Sequence, residues 1–312
     1  MGRWRDVWLL CLAGCVLTRW SASVVAAESV RVMTFNLWNG GDAGNQPLSQ
    51  TLEVVRAAKA DVVGLQETEG YEKAGTRPDN GRKLAEMLGW SYFDQGDGTA
   101  ILSRFTIVTN APHKWGVPLR LPSGKEAWMF NAHLMHAPYQ PYQLLKIPYA
   151  DAPFIKTAAE AVREARKARG EQVERLLAEL KPALASGHPV FLTGDFNEPS
   201  HQDWTQRAAA AAKCPVAVEY PSTLAVVGAG MRDAFRSVFP DEVARPGLTW
   251  TPTTKPEDPK DRHDRIDFVF VGGPNGTVKG CEIVGEDRKS ADIVVQPYPS
   301  DHRAVVATVE IP

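Results

Sequence analysis

Eight polar side chains, Asn36, Glu67, His133, Asp195, Asn197, Asp267, Asp301 and His302, stand at or beside the ends of short apolar segments distributed along the chain. The segments are of β type. Residues 30–37 alternate before the polar, glycine-rich Asn39-Gly40-Gly41-Asp42, residues 61–67 form a short buried run, and residues 189–193 run into Gly194-Asp195-Phe196-Asn197. Residues 99–102, 127–134, 266–271 and 304–311 complete the set. Strand ends on a packed sheet hold side chains rigidly at a rim, where chemistry can be built without disturbing a core.

Helical spacing separates these segments. Leu48, Leu52 and Val55 recur with it, residues 80–88 are amphipathic, and residues 156–180 carry an apolar stripe of Val173, Leu176, Leu177 and Leu180. The twelve charged residues between Lys156 and Lys181 read as a solvated face. Residues 231–238 read as a short helix. Residues 137–154, rich in Pro and Tyr without a period, and residues 251–262 read as surface loops. With 312 residues, 44% hydrophobic and 23% charged, the chain is an ordinary globular one, expected to form a single domain over residues 28–312.

Arg3 and Arg5 precede an apolar run over residues 7–17, the length of a signal-peptide core and too short to span a bilayer as a helix. Small residues at Val25-Ala26-Ala27 suit cleavage after Ala27, so residues 1–27 are expected to be an export signal and the mature chain secreted or periplasmic. Leu12-Ala13-Gly14-Cys15 offers the alternative of a lipid anchor at Cys15. Cys214 and Cys281 remain, either bridged or simply buried, and neither number nor spacing suggests zinc. Removing residues 1–27, with three arginines and one aspartate, takes the net charge from −2 to −4, which is not the footprint of an avid DNA binder.

Taken singly, the rim residues have structural readings: Asp195 as a turn or cap residue after Gly194, His133 and His302 as satisfied hydrogen-bond partners, Asn36 as a loop former. Their order along the chain says more. Thr34-Phe35-Asn36-Leu37-Trp38, Leu65-Gln66-Glu67, Ala100-Ile101-Leu102-Ser103-Arg104, Asn131-Ala132-His133-Leu134, Gly194-Asp195-Phe196-Asn197, Arg265-Ile266-Asp267-Phe268-Val269 and Ser300-Asp301-His302-Arg303-Ala304-Val305 resemble the motif series of the endonuclease/exonuclease/phosphatase (DNase I-like) superfamily.

That resemblance implies an α/β fold, a four-layer α/β/β/α sandwich with two packed mixed sheets. It also implies a Mg²⁺- or Mn²⁺-dependent phosphoester hydrolase, with Glu67, Asn36 and Asp301 at the metal, directly or through water. By the same resemblance Asp195 orients or deprotonates the attacking water, Asn197 holds a phosphoryl oxygen, and His302, oriented by Asp267, binds or relays a proton at the phosphate, while Arg104 is either a contact to the substrate phosphate or a surface arginine capping a strand. In-line attack on an anionic ester needs these parts: charge neutralisation, a placed nucleophile and a proton donor. His133 matches the DNase I-like and sphingomyelinase-like members and departs from the Tyr of abasic-site endonucleases. The 5-phosphatase signatures are only partly matched by Arg262-His263-Asp264-Arg265-Ile266, so inositol phosphate specificity is not supported.

The leading expectation is a secreted phosphodiesterase acting on nucleic acid. The alternatives are a sphingolipid head group or phosphomonoester as substrate, and a non-catalytic binding protein on the same scaffold. His136, Tyr139, Tyr142 and Tyr149 are either a substrate wall or ordinary loop packing. No Gly-x-Ser-x-Gly elbow and no dinucleotide fingerprint is present, and no protein partner is implied.

Overall fold

The computed structural model describes residues 1–2, 27–274 and 276–312. In chain order its strands are β1 (Glu28–Asn36), β2 (Val62–Gln66), β3 (Ser91–Gly96), β4 (Thr99–Ser103), β5 (Thr106–Ile107), β6 (Gly116–Arg120), β7 (Glu126–His133), β8 (Val190–Asp195), β9 (Arg232–Asp233), β10 (Asp267–Gly272), β11 (Thr277–Gly285), β12 (Ile293–Val294) and β13 (Ala304–Ile311). Its helices are α1 (Leu48–Ala57), α2 (Asn80–Leu88), α3 (Gln140–Leu145), α4 (Ala158–Ala185), α5 (Gln206–Ala210), α6 (Pro221–Gly228) and α7 (Ala234–Val238).

One sheet runs β12-β11-β13-β1-β2-β4-β3 and the other β5-β6-β7-β8-β10-β9. Both are mixed, because β1 and β2 are parallel, as are β7 and β8, among antiparallel neighbours. A parallel pair needs a crossover connection, which α1 supplies for the first and α4 for the second.

Period-two alternation then sorts the side chains. Val30 and Val32 join Phe191, Val269 and Val305 in the core between the sheets, while Met33 and Phe35 pack with Leu52 and Val55 of α1 and Leu84 of α2. On the other outer face Phe130, Leu192, Phe268 and Phe270 pack with Val173, Leu176 and Leu180 of α4 and Val226 of α6. The result is the expected four-layer α/β/β/α sandwich. Its central strands are covered on both faces, which is why they read as nearly continuous apolar runs.

Polar side chains also cross the seam. Gln66 Nε2 donates to Asn131 Oδ1 at 2.6 Å, Thr193 Oγ1 donates to the same oxygen at 3.1 Å, and Asn131 Nδ2 donates to the Leu65 carbonyl at 2.9 Å. Gly64 makes room for this layer, since a Cβ there would lie 2.0 Å from Thr193 Oγ1 and 2.4 Å from Asn131 Oδ1. Sequence alternation gives no hint of it, because these residues occupy inward positions that a plain core would fill with apolar groups.

Register puts the motif residues on one rim. Asn36 lies opposite Gln66, Asp195 lies opposite both His133 and Asp267, and Thr34 opposite Val305 brings the start of β13 to the same end.

Some expectations need correction. The 137–154 segment is not simply a surface loop: it contains α3 and buries Tyr139, Gln140 and Tyr142. The long helix starts later and ends later than the 156–180 expected, because Thr157 caps it in a capping box with Glu160 and the fold continues to Ala185. Its charges are not all solvated, as Arg169 is fully buried. Cys214 and Cys281 are both buried and unbridged, in separate apolar clusters. Residues 3–26, which carry the export and Cys15 readings, lie outside the described residues.

Candidate active site

Glu67 follows β2 with a left-handed φ of 52°, a conformation that costs a non-glycine residue roughly 1–3 kcal/mol and so must be held by its surroundings. The holding contacts are visible. The Gly40 N–H donates to the Glu67 carbonyl at 2.6 Å, the Asn39 N–H to Oε2 at 2.9 Å, and Asn36 Nδ2 to Oε1 at 3.2 Å.

Asn36, fully buried at the end of β1, ties the two sheets together. Its Nδ2 also donates to Asp195 Oδ2 at 2.9 Å, and its Oδ1 accepts from the Trp38 N–H at 2.9 Å. A backbone N–H can only donate, so the amide oxygen is fixed away from the carboxylates. The structure thus shows Asn36 as a donor bridging Glu67 and Asp195, next to the carboxylates where the resemblance implies a metal.

Asp195, 1% exposed at the end of β8, accepts from the Asn197 N–H at 2.8 Å through Oδ1. Its Oδ2 lies 3.6 Å from His133 Nε2 and 3.8 Å from His302 Nε2. On the other side of the imidazole, His302 Nδ1 meets Asp267 Oδ2 at 3.0 Å. Burial pushes the His302 ring down, but Asp267, then Asp195 and Asp301, outweigh it and hold the ring well above its ordinary value. Asp195, Asp267 and His302 are close enough to share a cation. His302 Nδ1 is hydrogen-bonded to Asp267 while Nε2 stands 3.8 Å from Asp195, so the three form a charge-paired cluster.

Asp301 is different. Its Oδ1 is buried without a hydrogen-bond partner among the described residues, 4.0 Å from His302 Nε2. Burial, opposed by His302 and reinforced by Glu67 and Asp195, pushes its carboxyl up to about 6. An orphaned buried carboxylate oxygen beside two further carboxylates is the hard-oxygen donor set that suits a divalent cation, with Glu67 and Asp301 able to hold it.

Asn197 also holds a left-handed φ, 47°, and gives one amide hydrogen to the Leu134 carbonyl at 3.0 Å, which leaves its second for a ligand. Glu67, His133, Asp195, Asn197, Asp301 and His302 line a cleft of about 250 Å³, with Asn36 and Asp267 behind them. Its far wall is aromatic. Tyr149 stands edge-on to Tyr142 at 5.6 Å and to His136 at 6.2 Å, and Trp250 lies 5.6 Å from Tyr139 and 6.3 Å from His302. Both readings of that segment hold in part: Tyr139 and Tyr142 are packed, their hydroxyls on Asp264 and Asp261, while Tyr149 and His136 face the cleft. Trp250 also lies in the wall, and nothing in its sequence context marks it.

Arg104 is not brought to the site. β4 runs antiparallel to β2, so Arg104 falls beside Asp61, where its Nη1 meets Asp61 Oδ1 at 2.7 Å. That is the opposite rim, roughly 20 Å from Glu67 along β2 at the rise of a strand. Arg104 is a strand-end ion pair and not a substrate contact.

The comparisons agree with this geometry. The model of the endonuclease/exonuclease/phosphatase family matches residues 33–302. An uncharacterized protein of Caenorhabditis elegans is 30% identical over 92% of this chain and 93% of its own. The endonuclease/exonuclease/phosphatase from Beutenbergia cavernae superposes with a TM-score of 0.56 at 19% identity, over 91% of this chain and 72% of that one. The 3' phosphatase NExo from Neisseria, solved with a product DNA hairpin, does so with a TM-score of 0.56 at 17% identity, over 89% and 98%. With every motif residue but Arg104 gathered on one rim of a four-layer sandwich and the family model spanning nearly all of it, the chain belongs to the endonuclease/exonuclease/phosphatase family, whose members are phosphoester hydrolases.

Proposed function

We propose that the protein is an exported, Mg²⁺- or Mn²⁺-dependent phosphodiesterase that acts on nucleic acid. One observation carries the reading: His302, hydrogen-bonded to Asp267 behind it, lines the same cleft as Asp195, Glu67 and the unpartnered oxygen of Asp301. A divalent cation held by Glu67 and Asp301 supplies charge neutralisation for the phosphate. Asp195, kept as a carboxylate acceptor by Asn36 and the Asn197 N–H, orients the attacking water and takes its proton. His302, charged and held by Asp267, faces the phosphate and gives a proton to the leaving oxygen. Asn197 and His133 bind phosphoryl oxygens from the β7–β8 side. The DNA-bound relative supports nucleic acid as the substrate class. Export rests on residues 1–27, with a lipid anchor at Cys15 as its alternative.

A second reading, a lipid head group as substrate, is favoured by one specific feature. Leu145, Tyr149 and Phe154, 39%, 39% and 51% exposed, belong to the 137–154 segment whose Tyr149 walls the cleft, and Met135, 45% exposed, lies just before it. The test is a panel of plasmid DNA, RNA, bis-p-nitrophenyl phosphate, phosphomonoesters and sphingomyelin liposomes, with Mg²⁺ or EDTA and with Asp195→Ala as control. Metal-dependent plasmid or RNA cleavage that needs Asp195 supports the first reading. Liposome turnover without nucleic acid cleavage replaces it with the second, and silence on every ester overturns both.

A further inference from the structure

Arg169 lies in the middle of α4 with no exposed surface, and Glu198, equally buried, lies 3.7 Å away. Burying two opposite charges carries a desolvation penalty that their mutual attraction often fails to recover, so a pair in this position needs a reason beyond stability. Its partners supply one. Arg169 Nη2 donates to the Pro138 carbonyl at 3.0 Å and Nη1 to Gln140 Oε1 at 2.7 Å, and Gln143, one turn on in α3, donates to the Pro153 carbonyl at 2.8 Å. The guanidinium therefore holds the segment that carries His136, Tyr142 and Tyr149. Glu198 directly follows Asn197 in the chain, and its Oε1 accepts from the Ser222 N–H at 2.8 Å, at the start of α6.

We infer that Arg169 and Glu198 form a positioning pair that sets the turn bearing Asn197 against the aromatic wall of the cleft. Neither touches the substrate. The pair fixes the separation between the two sides that must close on a phosphate together: Asn197, held at a left-handed φ, and the His136–Tyr149 edge. This inference rests on the hydrolase reading above. A misplacement of about 1 Å in such a site costs on the order of 100-fold in rate.

The test uses the purified protein and bis-p-nitrophenyl phosphate, with kcat, KM and thermal midpoint measured for Arg169→Met, Arg169→Lys and the double variant Arg169→Met/Glu198→Met. Removing Arg169 alone leaves a buried carboxylate uncompensated, so stability and kcat both fall. The double variant removes both charges at similar volume and recovers its midpoint. Its kcat nevertheless stays about 10- to 100-fold down, with KM changed less than threefold. Arg169→Lys, which keeps the charge without the two-pronged grip, lies between. Return of both midpoint and kcat in the double variant makes the pair purely structural and overturns the inference, as does wild-type kcat in any folded Arg169 variant. If the single and double Met variants do not fold, kcat in Arg169→Lys decides. An inactive wild-type protein sinks the hydrolase reading itself, which separates the two failures.

Discussion

Asn36 Nδ2 lies 2.9 Å from Asp195 Oδ2, a hydrogen bond from the last residue of one sheet's central strand to the last residue of the other's. Because the same amide also donates to Glu67, two carboxylates from different sheets are held by one neutral donor. Asn36→Asp puts a third carboxylate among them, and Asn36→Ala leaves both without their donor. Each is expected to lower kcat/KM for bis-p-nitrophenyl phosphate by roughly 100-fold or more, Asn36→Asp most, with far-UV circular dichroism unchanged.

Asp267 acts through His302. Asp267→Asn keeps the shape but removes the charge that holds the ring protonated and its tautomer fixed. The expected loss in kcat is on the order of 100- to 10,000-fold with little change in thermal midpoint, and wild-type rates would remove His302 from the chemistry.

Arg104→Ala is expected to leave kcat and KM within twofold of wild type. Its partner is Asp61, on the opposite rim, and a half-exposed ion pair contributes less than about 1 kcal/mol. A large rise in KM would return Arg104 to the substrate.

How much of this was legible in the sequence depends on what each signal depends on. Asn36, Glu67, His133, Asp195, Asp267, Asp301 and His302 stood out because polar residues at apolar strand ends break a pattern. Arg104 was named only through the resemblance, and a motif position does not say which rim a strand end reaches: β4 runs against β2 and carries Arg104 to Asp61. The burial of Arg169 was hidden because eleven other charges share its helical stretch, and period alone cannot tell a charge facing a loop from one facing water. α3 was hidden by Pro141 and by tyrosines without a period, its position set by tertiary contacts to Asp264 and Asp261. Trp250 joins the wall through contacts to Tyr139 and His302, both far from it in the chain and beyond any local pattern.

Gly64→Ala is expected to destabilise the fold by about 1–3 kcal/mol in urea, because its methyl group would meet Thr193 Oγ1 and Asn131 Oδ1 and push the sheets apart at their polar layer. A neutral substitution would show that this layer yields without cost.

Glu242 gives a pH signature away from the site. A hydrogen bond from Arg207, reinforced by Thr205, lowers its carboxyl to about 2. A depressed folded value means the contribution is complete above the unfolded value, about 4.3, and is lost as pH falls toward 2. The difference in thermal midpoint between wild type and Glu242→Gln is therefore expected to be constant above about pH 5.5 and to shrink below about pH 4. A difference that does not change with pH would contradict the pairing.

The central claim is that the rim holds a metal-dependent, Asp195-centred phosphoester hydrolase. Its most direct test is the initial rate of bis-p-nitrophenyl phosphate hydrolysis by wild type and Asp195→Ala, each with Mg²⁺ and with EDTA. The account predicts turnover only in wild type with Mg²⁺, down at least about 1,000-fold in the other three conditions. Hydrolysis that survives EDTA, or that Asp195→Ala retains, would contradict it.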